Sequence, residues 1–302
     1  MTSRTLLVLG ASGFLGPHVV RAARTAGWRV VAAARRPELA AWLGGGGPDE
    51  ALAFEAEDPA ALAELLARAR PEAIVCALAL SRVDACERDP VRAQRLNAAF
   101  PADLARASRA AGVRLVHVST DLVFGATPPR AGGFREDDPP SPVHAYGRSK
   151  AAGEAGVLCA DPSALVVRLP LLYGDSLGRG LGASDQLRAA LARGERPALF
   201  RDEWRTPLEA GNAAAALLEL VALDAAGLLH VAGPQRLERH ALGLAVLARL
   251  GLSSERVRAA TRAELGLAAT RPADVALDST RARALLATPL LAPTAALSSA
   301  LP

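Results

Sequence analysis

The sequence has few aromatic residues, few cysteines and almost no lysine. Phe, Trp and Tyr make up 4% of the 302 residues, so no row of stacking aromatics accompanies the basic side chains. Cys76, Cys86 and Cys159 are too few and too scattered for a disulfide framework, and no metal-ligand cluster is present. We expect the three cysteines to be small buried residues of a protein in a reducing compartment.

Long uninterrupted apolar runs are also missing. The first ten residues enter a strand and a glycine-rich turn, without an apolar segment of signal-peptide length. The apolar tail after Leu285 is interrupted by Pro289 and Pro293, so it does not form a membrane span. From these features we expect a cytoplasmic protein with no membrane partner.

The charge and the apolar content narrow the class further. The net charge is +4, but arginines and acids are interleaved along the chain, which predicts no nucleic-acid partner. Hydrophobic residues make up 51% of the chain, which excludes intrinsic disorder and allows a large core.

Short apolar runs alternate with segments of helical spacing through most of the chain. The apolar runs predict strands at Thr5–Leu9, Arg29–Ala34, Ala73–Leu80, Leu115–Ser119, Ala164–Leu169 and Leu228–Ala232. The intervening segments predict helices at Pro17–Ala26, Ala60–Ala69, Val91–Ala111, Tyr146–Leu158, Asp185–Arg193 and Gly211–Leu223. This order is typical of an α/β fold with a Rossmann-type, doubly wound parallel sheet. Residues 170–205 and 233–302 predict a second, smaller and mostly helical domain that binds the substrate.

A glycine-rich turn follows the first strand and opens the first helix. Gly10 allows the tight turn, Gly13 allows the backbone to approach a pyrophosphate, and Gly16 allows close helix–strand packing. The helix N-terminus then faces the phosphates. The residues of this predicted dinucleotide site are Gly10, Ser12, Gly13, Phe14, Leu15 and Gly16.

The end of the second strand indicates which dinucleotide binds. An acid there would bond a free ribose 2′-hydroxyl, but the chain has Arg35 and Arg36, which suit a 2′-phosphate. NADPH is therefore favoured, while NADH stays open because the two arginines also fit a solvated surface pair. Asp58 is a candidate for bonding the adenine, and equally for capping the helix that follows it.

Lys150 is the only lysine of the chain, and it lies four residues after Tyr146, one of two tyrosines. On a helix this spacing puts both side chains on one face. A free phenol has a pKa of about 10, and an adjacent ammonium favours the phenolate. The pair therefore predicts a general acid–base unit in which the compact ammonium also bonds the nicotinamide ribose.

Three further polar residues are placed to act with this pair. Thr120 directly follows the fourth predicted strand, at the edge where open parallel sheets bind ligands, and its hydroxyl suits a substrate carbonyl oxygen. Asp121 is a candidate for bonding a sugar hydroxyl, for assisting the proton relay or for capping the next turn. Asn97 precedes this strand, and it fits both a site-orienting role and a buried structural amide.

These motifs resemble the extended short-chain dehydrogenase/reductases, and within them the branch of dTDP-4-dehydrorhamnose reductase and its sugar-nucleotide-binding relatives. The matching segments, in order, are GASGFLG at 10–16, Asn97, STD at 119–121, YGRSK at 146–150, the Arg168…Tyr173-Gly174 stretch, DEWRTP at 202–207 and RPAD at 271–274. The resemblance implies a catalytic triad of Thr120, Tyr146 and Lys150. It also implies that residues 206–232 return to a cofactor domain of residues 1–169.

The resemblance also bears on the reaction. Dehydratases of the family carry a second acid after the Thr-Asp pair, whereas this chain has Leu122, so simple ketone reduction is favoured. Leu122 and Leu171 replace aromatic residues that the branch usually has near the sugar. Trp204 and Arg205 are candidates for an aromatic surface and a phosphate partner, or for core packing and a surface charge.

We therefore expect an NADPH-dependent reductase of a 4-keto nucleotide sugar, with a small molecule as its partner and a homodimer left open. A nucleotide-sugar epimerase and a reductase of another ketone are alternatives. A non-catalytic NADP-binding regulatory subunit is a third, because the resemblance extends to a subunit of that kind for methionine adenosyltransferase.

Overall fold

The computed structural model describes residues 4–38, 46–177 and 180–293. The strands that form the main sheet are β1 (Thr5–Leu9), β2 (Arg29–Ala34), β3 (Glu50–Ala53), β4 (Ala73–Cys76), β5 (Arg114–Thr120), β6 (Leu165–Leu169) and β11 (Gly227–His230). Shorter strands are β7 (Leu172–Tyr173), β8 (Ala198–Phe200), β9 (Trp204–Arg205), β10 (Leu208–Glu209), β12 (Leu237–Glu238) and β13 (Arg258–Ala260).

The helices lie between these strands, except for the last helix, which follows β13. They are α1 (Gly16–Thr25), α2 (Ala61–Ala69), α3 (Val83–Arg88), α4 (Pro90–Gln94), α5 (Phe100–Ala110), α6 (Ala145–Ala160), α7 (Ala183–Ala192), α8 (Ala210–Ala222), α9 (Arg239–Arg249) and α10 (Thr280–Leu285). A π-helical turn at Arg95–Ala99 joins α4 to α5, and 3-10 turns occur at Asp121–Val123 and Ser254–Arg256. Among the described residues, no helix combines the length and the apolar character needed to cross a membrane.

Over the described residues the main sheet has seven strands in the order β11-β6-β5-β4-β1-β2-β3. The pairs β1–β2, β1–β4, β2–β3 and β4–β5 are parallel. Strands β1, β2, β4 and β6 are almost wholly buried, because helices cover both faces of such a sheet. The predicted Rossmann-type α/β fold is confirmed.

The chain divides into two compact units. The first contains residues 1–119, 145–167 and 214–229, and the second contains 120–144, 168–213 and 230–302. The predicted domain boundaries stay a prediction. The observed division differs from them, since residues 120–144 belong to the second unit and a shorter segment than 206–232 returns to the first.

Each unit has its own core. In the first, apolar side chains of β1, β2, β4 and β5 pack with those of α2 and α5, including the tilted ring pair of Phe54 and Phe100. In the second, Tyr173 packs with leucines and valines of α7 and α9. A stacked pair of Phe124 and Phe134 rings, with centroids 4.0 Å apart, lies elsewhere in the second unit.

Four expectations from the sequence need correction. Cys159 is exposed on α6, whereas Cys76 and Cys86 are buried as expected. The edge strand β3 has no counterpart among the predicted strands, since only one of its four residues is buried. The single helix expected at 91–111 is α4, the π turn and α5, and α3 precedes it. The mostly helical character expected from residue 233 onward applies within α9 and α10, and short strands and turns lie between them.

Candidate active site

The glycine-rich turn is too crowded for side chains at two of its glycines. Gly10 has φ of +79°, and a Cβ there would lie 2.7 Å from the backbone nitrogen of Leu78. A Cβ on Gly16 would lie 2.4 Å from the carbonyl oxygen of Gly10. Gly13 is exposed, and among the described residues a Cβ there would meet only that same oxygen, at 3.2 Å. The turn thus has a tight inner side and an open outer side.

The open side of this turn suits a pyrophosphate. Helix α1 begins at Gly16 with Pro17 in its first turn and no acidic residue there, so its N-terminal amides and dipole favour an anion. Ser12 and Phe14 are half-buried and Leu15 is buried. The rings of Phe14 and His18 form a T-shaped pair with centroids 6.1 Å apart. These residues fit a dinucleotide as the sequence predicts.

Arg35 and Arg36 are both exposed directly after β2. Since β1 and β2 are parallel neighbours, the two arginines lie at the same edge of the sheet as the Gly10 turn. Asp58 is exposed, and its carboxylate accepts a hydrogen bond from the backbone N–H of Ala60 at 3.0 Å, just before α2. This bond closes a turn before α2, whose N-cap is Ala60 without a side-chain hydrogen bond, so the capping role is not observed for Asp58, and its adenine contact stays a prediction.

Helix α6 carries Tyr146 and Lys150. The carboxylate of Glu87 accepts a hydrogen bond from the N–H of Ala145 at 2.6 Å and so caps the start of the helix. Tyr146 is half-buried and packs against the buried cluster of Cys86, Ala93 and Ala145. Lys150, one turn later, is 1% exposed. A lysine is rarely buried to this degree unless polar groups surround its ammonium.

The ammonium of Lys150 is held by strand β5. Its Nζ donates to the carbonyl oxygen of Val118 at 2.8 Å and lies 3.0 Å from Nε2 of His117. Burial lowers the pKa of Lys150 to about 8, although the electrostatic interaction with Glu154 partly opposes the shift. Lys150 is thus still mostly protonated at neutral pH. His117 was not among the residues singled out from the sequence, and its only signal was a polar residue inside a buried strand.

Asn97 lies in the π-helical turn, a feature that often marks functional sites. Its side-chain oxygen accepts from the N–H of Leu80 at 2.8 Å. Its amide nitrogen donates to the Leu80 carbonyl and to the hydroxyl of Ser149, both at 3.0 Å. Asn97 therefore connects the segment after β4 to helix α6 at Ser149, the residue before Lys150. A direct contact between Asn97 and the substrate stays a prediction.

Thr120 ends β5 and belongs to the second unit, whereas Tyr146 and Lys150 belong to the first. The Thr120 hydroxyl donates to Oδ1 of Asp121 at 3.2 Å and accepts from the N–H of Leu122 at 3.2 Å. Thr120 is thereby the N-cap of the 3-10 turn at Asp121–Val123. Its hydroxyl is fixed by the residues that immediately follow it.

Asp121 is part of a buried cluster of charges in the second unit. Arg205 donates to Asp121 at 3.2 Å and to Glu203 at 3.1 Å. Glu203, whose side chain is fully buried, also accepts from Arg271 at 2.8 Å and lies 3.9 Å from Arg239. The arginines outnumber the carboxylates by three to two, so the cluster keeps a positive charge.

The pKa values of the two carboxyl groups in this cluster are shifted in opposite directions. Burial raises the pKa of Asp121, and Arg205 offsets only part of this effect. Burial also raises the pKa of Glu203, but the charges of Arg205, Arg239 and Arg271 together outweigh burial and lower this pKa to about 2. Glu203 is therefore a carboxylate at any physiological pH. Glu203 was not among the residues singled out from the sequence, although the DEWRTP segment at 202–207 contains it.

Trp204 and Arg205 differ in how far their side chains are exposed to solvent. Arg205 is 5% exposed, so the surface-charge alternative for it is wrong, and its phosphate contact stays a prediction. The half-buried ring of Trp204 is covered on one face by Arg236, whose guanidinium carbon lies 4.0 Å from the ring centroid. Among the described residues, no group of three or more His, Cys, Asp or Glu side chains is arranged to hold a metal ion.

The chain matches the RmlD substrate-binding domain family over residues 4–301. It belongs to this family. Among its family relatives, a probable low-salt glycan biosynthesis reductase of Haloferax volcanii, Agl14, is 32% identical over 90% of this chain and 88% of its own length. A dTDP-4-dehydrorhamnose reductase of Mycobacterium tuberculosis is 33% identical over 99% of this chain and 93% of its own.

Two further similarities bear on the alternatives. The β subunit of methionine adenosyltransferase 2 from Xenopus laevis is 29% identical over 92% of this chain and 81% of its own length. A crystal structure of a Bacillus anthracis dTDP-4-dehydrorhamnose reductase in complex with NADP superposes with a TM-score of 0.85, at 20% identity and 98% coverage of both chains. The predicted membership of the dTDP-4-dehydrorhamnose reductase branch is confirmed, and the names of the relatives agree with the predicted oxidoreductase class.

Proposed function

We propose that this RmlD-family chain is an NADPH-dependent reductase of a 4-keto nucleotide sugar. The observation that carries the proposal is Lys150. It is the only lysine of the chain, it is buried, and β5 holds its ammonium two residues before Thr120. A buried ammonium one helical turn from a half-buried tyrosine is the arrangement that an acid–base phenol needs.

The residues divide the work as follows. Bound NADPH supplies the hydride that adds to the keto carbon. Tyr146 protonates the oxygen as the alcohol forms, and the charge of Lys150 stabilises the phenolate that remains. For Thr120 to support the same oxygen, its hydroxyl proton turns from Asp121 to the substrate. The Gly10–Gly16 turn and the amides of α1 bind the pyrophosphate of the dinucleotide, and Arg35 and Arg36 bind its 2′-phosphate.

The substrate class is supported by the relatives and by the excess positive charge around Glu203. Three arginines surround two carboxylates there. Arg239 and Arg271 are the more exposed members, with side chains 23% and 37% exposed. We assign to these two the diphosphate of the nucleotide sugar, while Arg205 is engaged by both carboxylates.

The test is NADPH oxidation at 340 nm with a panel of nucleotide 4-keto sugars, with NADH in parallel. We expect turnover with NADPH, and a loss of at least about 100-fold in Tyr146→Phe, since general acid catalysis contributes roughly 10²–10⁴-fold. Tyr173→Phe is the matched control, because Tyr173 is a core residue. Turnover that survives in Tyr146→Phe contradicts the proposal.

A regulatory subunit is the second candidate, and the similarity to the methionine adenosyltransferase β subunit favours it. Tight NADPH binding without turnover of any keto sugar would support this alternative. Turnover without net NADPH consumption would indicate an epimerase instead, since an epimerase returns its hydride to the sugar.

A further inference from the structure

A histidine lies beneath the ammonium of Lys150, in the middle of a buried strand. His117 is fully buried in β5. The parallel register places it beside Cys76 of β4. Apolar residues fill the neighbouring positions of both strands, so packing alone does not account for an imidazole here.

The protonation states of the pair follow from its surroundings. Burial, and then the charge of Lys150, hold the pKa of His117 well below its ordinary value, so the ring is neutral. Lys150 is mostly protonated at neutral pH, since its pKa is about 8. An ammonium only donates, so Nε2 of His117 accepts and the ring proton sits on Nδ1.

This arrangement has a cost in stability. Nδ1 of His117 is buried and, among the described residues, has no hydrogen-bond partner. A buried donor without a partner destabilises a fold. Such a histidine is explained by its effect on Lys150: together with the carbonyl of Val118, it occupies two of the three N–H bonds of the ammonium.

We propose that His117 is a positioning residue, whose neutral imidazole keeps Lys150 protonated and fixed against strand β5. What Lys150 then does for Tyr146 and the ribose rests on the proposed function. Lys150 keeps one N–H for those partners, and its orientation is set by the two acceptors on β5.

The other titratable groups around Lys150 do not replace this acceptor. Burial raises the pKa of Cys76 on β4 to about 11, so its thiol is neutral. Glu154 on α6 accepts from the hydroxyl of Ser119 at 2.5 Å. Tyr146 lies one turn earlier on the same helix. Removal of the His117 acceptor therefore leaves the buried charge less stabilised, and the pKa of Lys150 falls.

The single lysine makes this shift measurable without turnover. A protein labelled with [ε-¹³C]lysine and carrying no tag gives one lysine side-chain signal, whose chemical shift is followed against pH by NMR. The variants are His117→Leu, which has no acceptor, His117→Gln, whose amide oxygen reaches the position of Nε2, and His117→Asn, whose amide ends near that of Nδ1.

We expect the pKa of Lys150 to fall by about one unit or more in the Leu and Asn variants, a tenfold change in the protonation equilibrium. The Gln variant stays near the wild-type value. Should the Leu variant not fold, the Gln and Asn pair decides. An unchanged pKa in Asn, or a Gln variant that titrates like Asn, overturns the proposal.

Kinetics separate this proposal from the proposed function. Where the wild type reduces a keto sugar, we expect the alkaline limb of its kcat–pH profile to move to lower pH in His117→Asn. In His117→Gln this limb should lie near its wild-type position. Where the wild type shows no turnover, the reductase assignment fails, and the titration of Lys150 still decides the role of His117.

Discussion

At the scale of single residues, the chain buries ionisable side chains that an apolar core would normally exclude. Glu203 and Lys150 are both within 1% of full burial. Each is held by partners that match its charge: arginines around Glu203 and two acceptors beside Lys150. A buried charge is tolerated only with such partners, so loss of one partner is more damaging than loss of an exposed ion pair.

Glu203 makes this testable through stability. Its pKa is lowered to about 2 in the folded chain, below the unfolded value of about 4.3. The stabilisation it contributes is therefore present above about pH 4.3 and is lost as the pH falls toward 2. Glu203→Gln should lower the free energy of unfolding by about 3–5 kcal/mol at pH 7, because three arginines lose their buried counter-charge.

Urea denaturation at several pH values measures this effect. The difference in unfolding free energy between wild type and Glu203→Gln should shrink as the pH falls below about 4. Glu195→Gln is the control, since Glu195 forms an exposed pair with Arg193. A loss in Glu203→Gln that is no larger than in the control would show that the buried cluster is not stabilised by this charge.

At the scale of elements, the approach of α6 to the π turn depends on one glycine. A Cβ on Gly153 would lie 2.1 Å from the carbonyl oxygen of Asn97. Gly153 therefore permits the contact through which Asn97 reaches Ser149. Alanine has the higher helix propensity, by about 1 kcal/mol, but this gain is smaller than the cost of forcing the π turn away.

We expect Gly153→Ala to lower the free energy of unfolding by about 1–3 kcal/mol, the usual range for overpacking. Gly156→Ala in the same helix is the matched control, because its Cβ would meet only the side chain of Ala102, at 3.1 Å, and a more distant carbonyl oxygen. Urea denaturation compares the two. Equal stability of both variants would show that α6 moves freely away from the π turn.

The elements also show how far the sequence alone could predict this fold. Strands β1 and β2 match the predicted ranges because both are unbroken apolar runs between turn signals. Strand β3 was not predicted, because the sequence Glu50–Ala53 buries a single leucine at the edge of the sheet. The division of 83–110 into α3, α4, a π turn and α5 has no local signal apart from Pro90 and Pro101.

The site was predictable in part for a similar reason. Gly10, Tyr146 and Lys150 stand out through spacing and rarity, which are properties of the sequence. The roles of Asn97, His117 and Glu203 depend on partners that are distant in the chain, such as Ser149, Lys150 and Arg271. Pairings of this kind arise only from the tertiary fold.

At the scale of the whole molecule, the net charge of +4 does not imply a general affinity for anions. All positive side chains except Lys150 are arginines, and most of those with resolved partners lie in exposed ion pairs. Such pairs contribute about 0–1 kcal/mol each. We expect a ligand to be selected instead by the exposed Arg35 and Arg36 beside the glycine-rich turn and by the cluster around Glu203.

Cofactor choice tests this view on the intact protein. A ligand that binds only the folded state stabilises it by about 2.7 kcal/mol at 100 times its Kd, so NADPH should raise Tm more than NADH at equal concentration. In the double variant Arg35→Ala/Arg36→Ala, the 2′-phosphate loses its partners and the Kd for NADPH should rise about 10–100-fold, while that for NADH stays within about 2-fold.

The double variant Arg106→Ala/Arg109→Ala removes two positive charges from α5 and is the control for net charge. Thermal unfolding with each nucleotide, and calorimetric titration for the Kd values, measure both effects. Equal losses of NADPH affinity in the two double variants would mean that overall charge, and not the position after β2, attracts the phosphate.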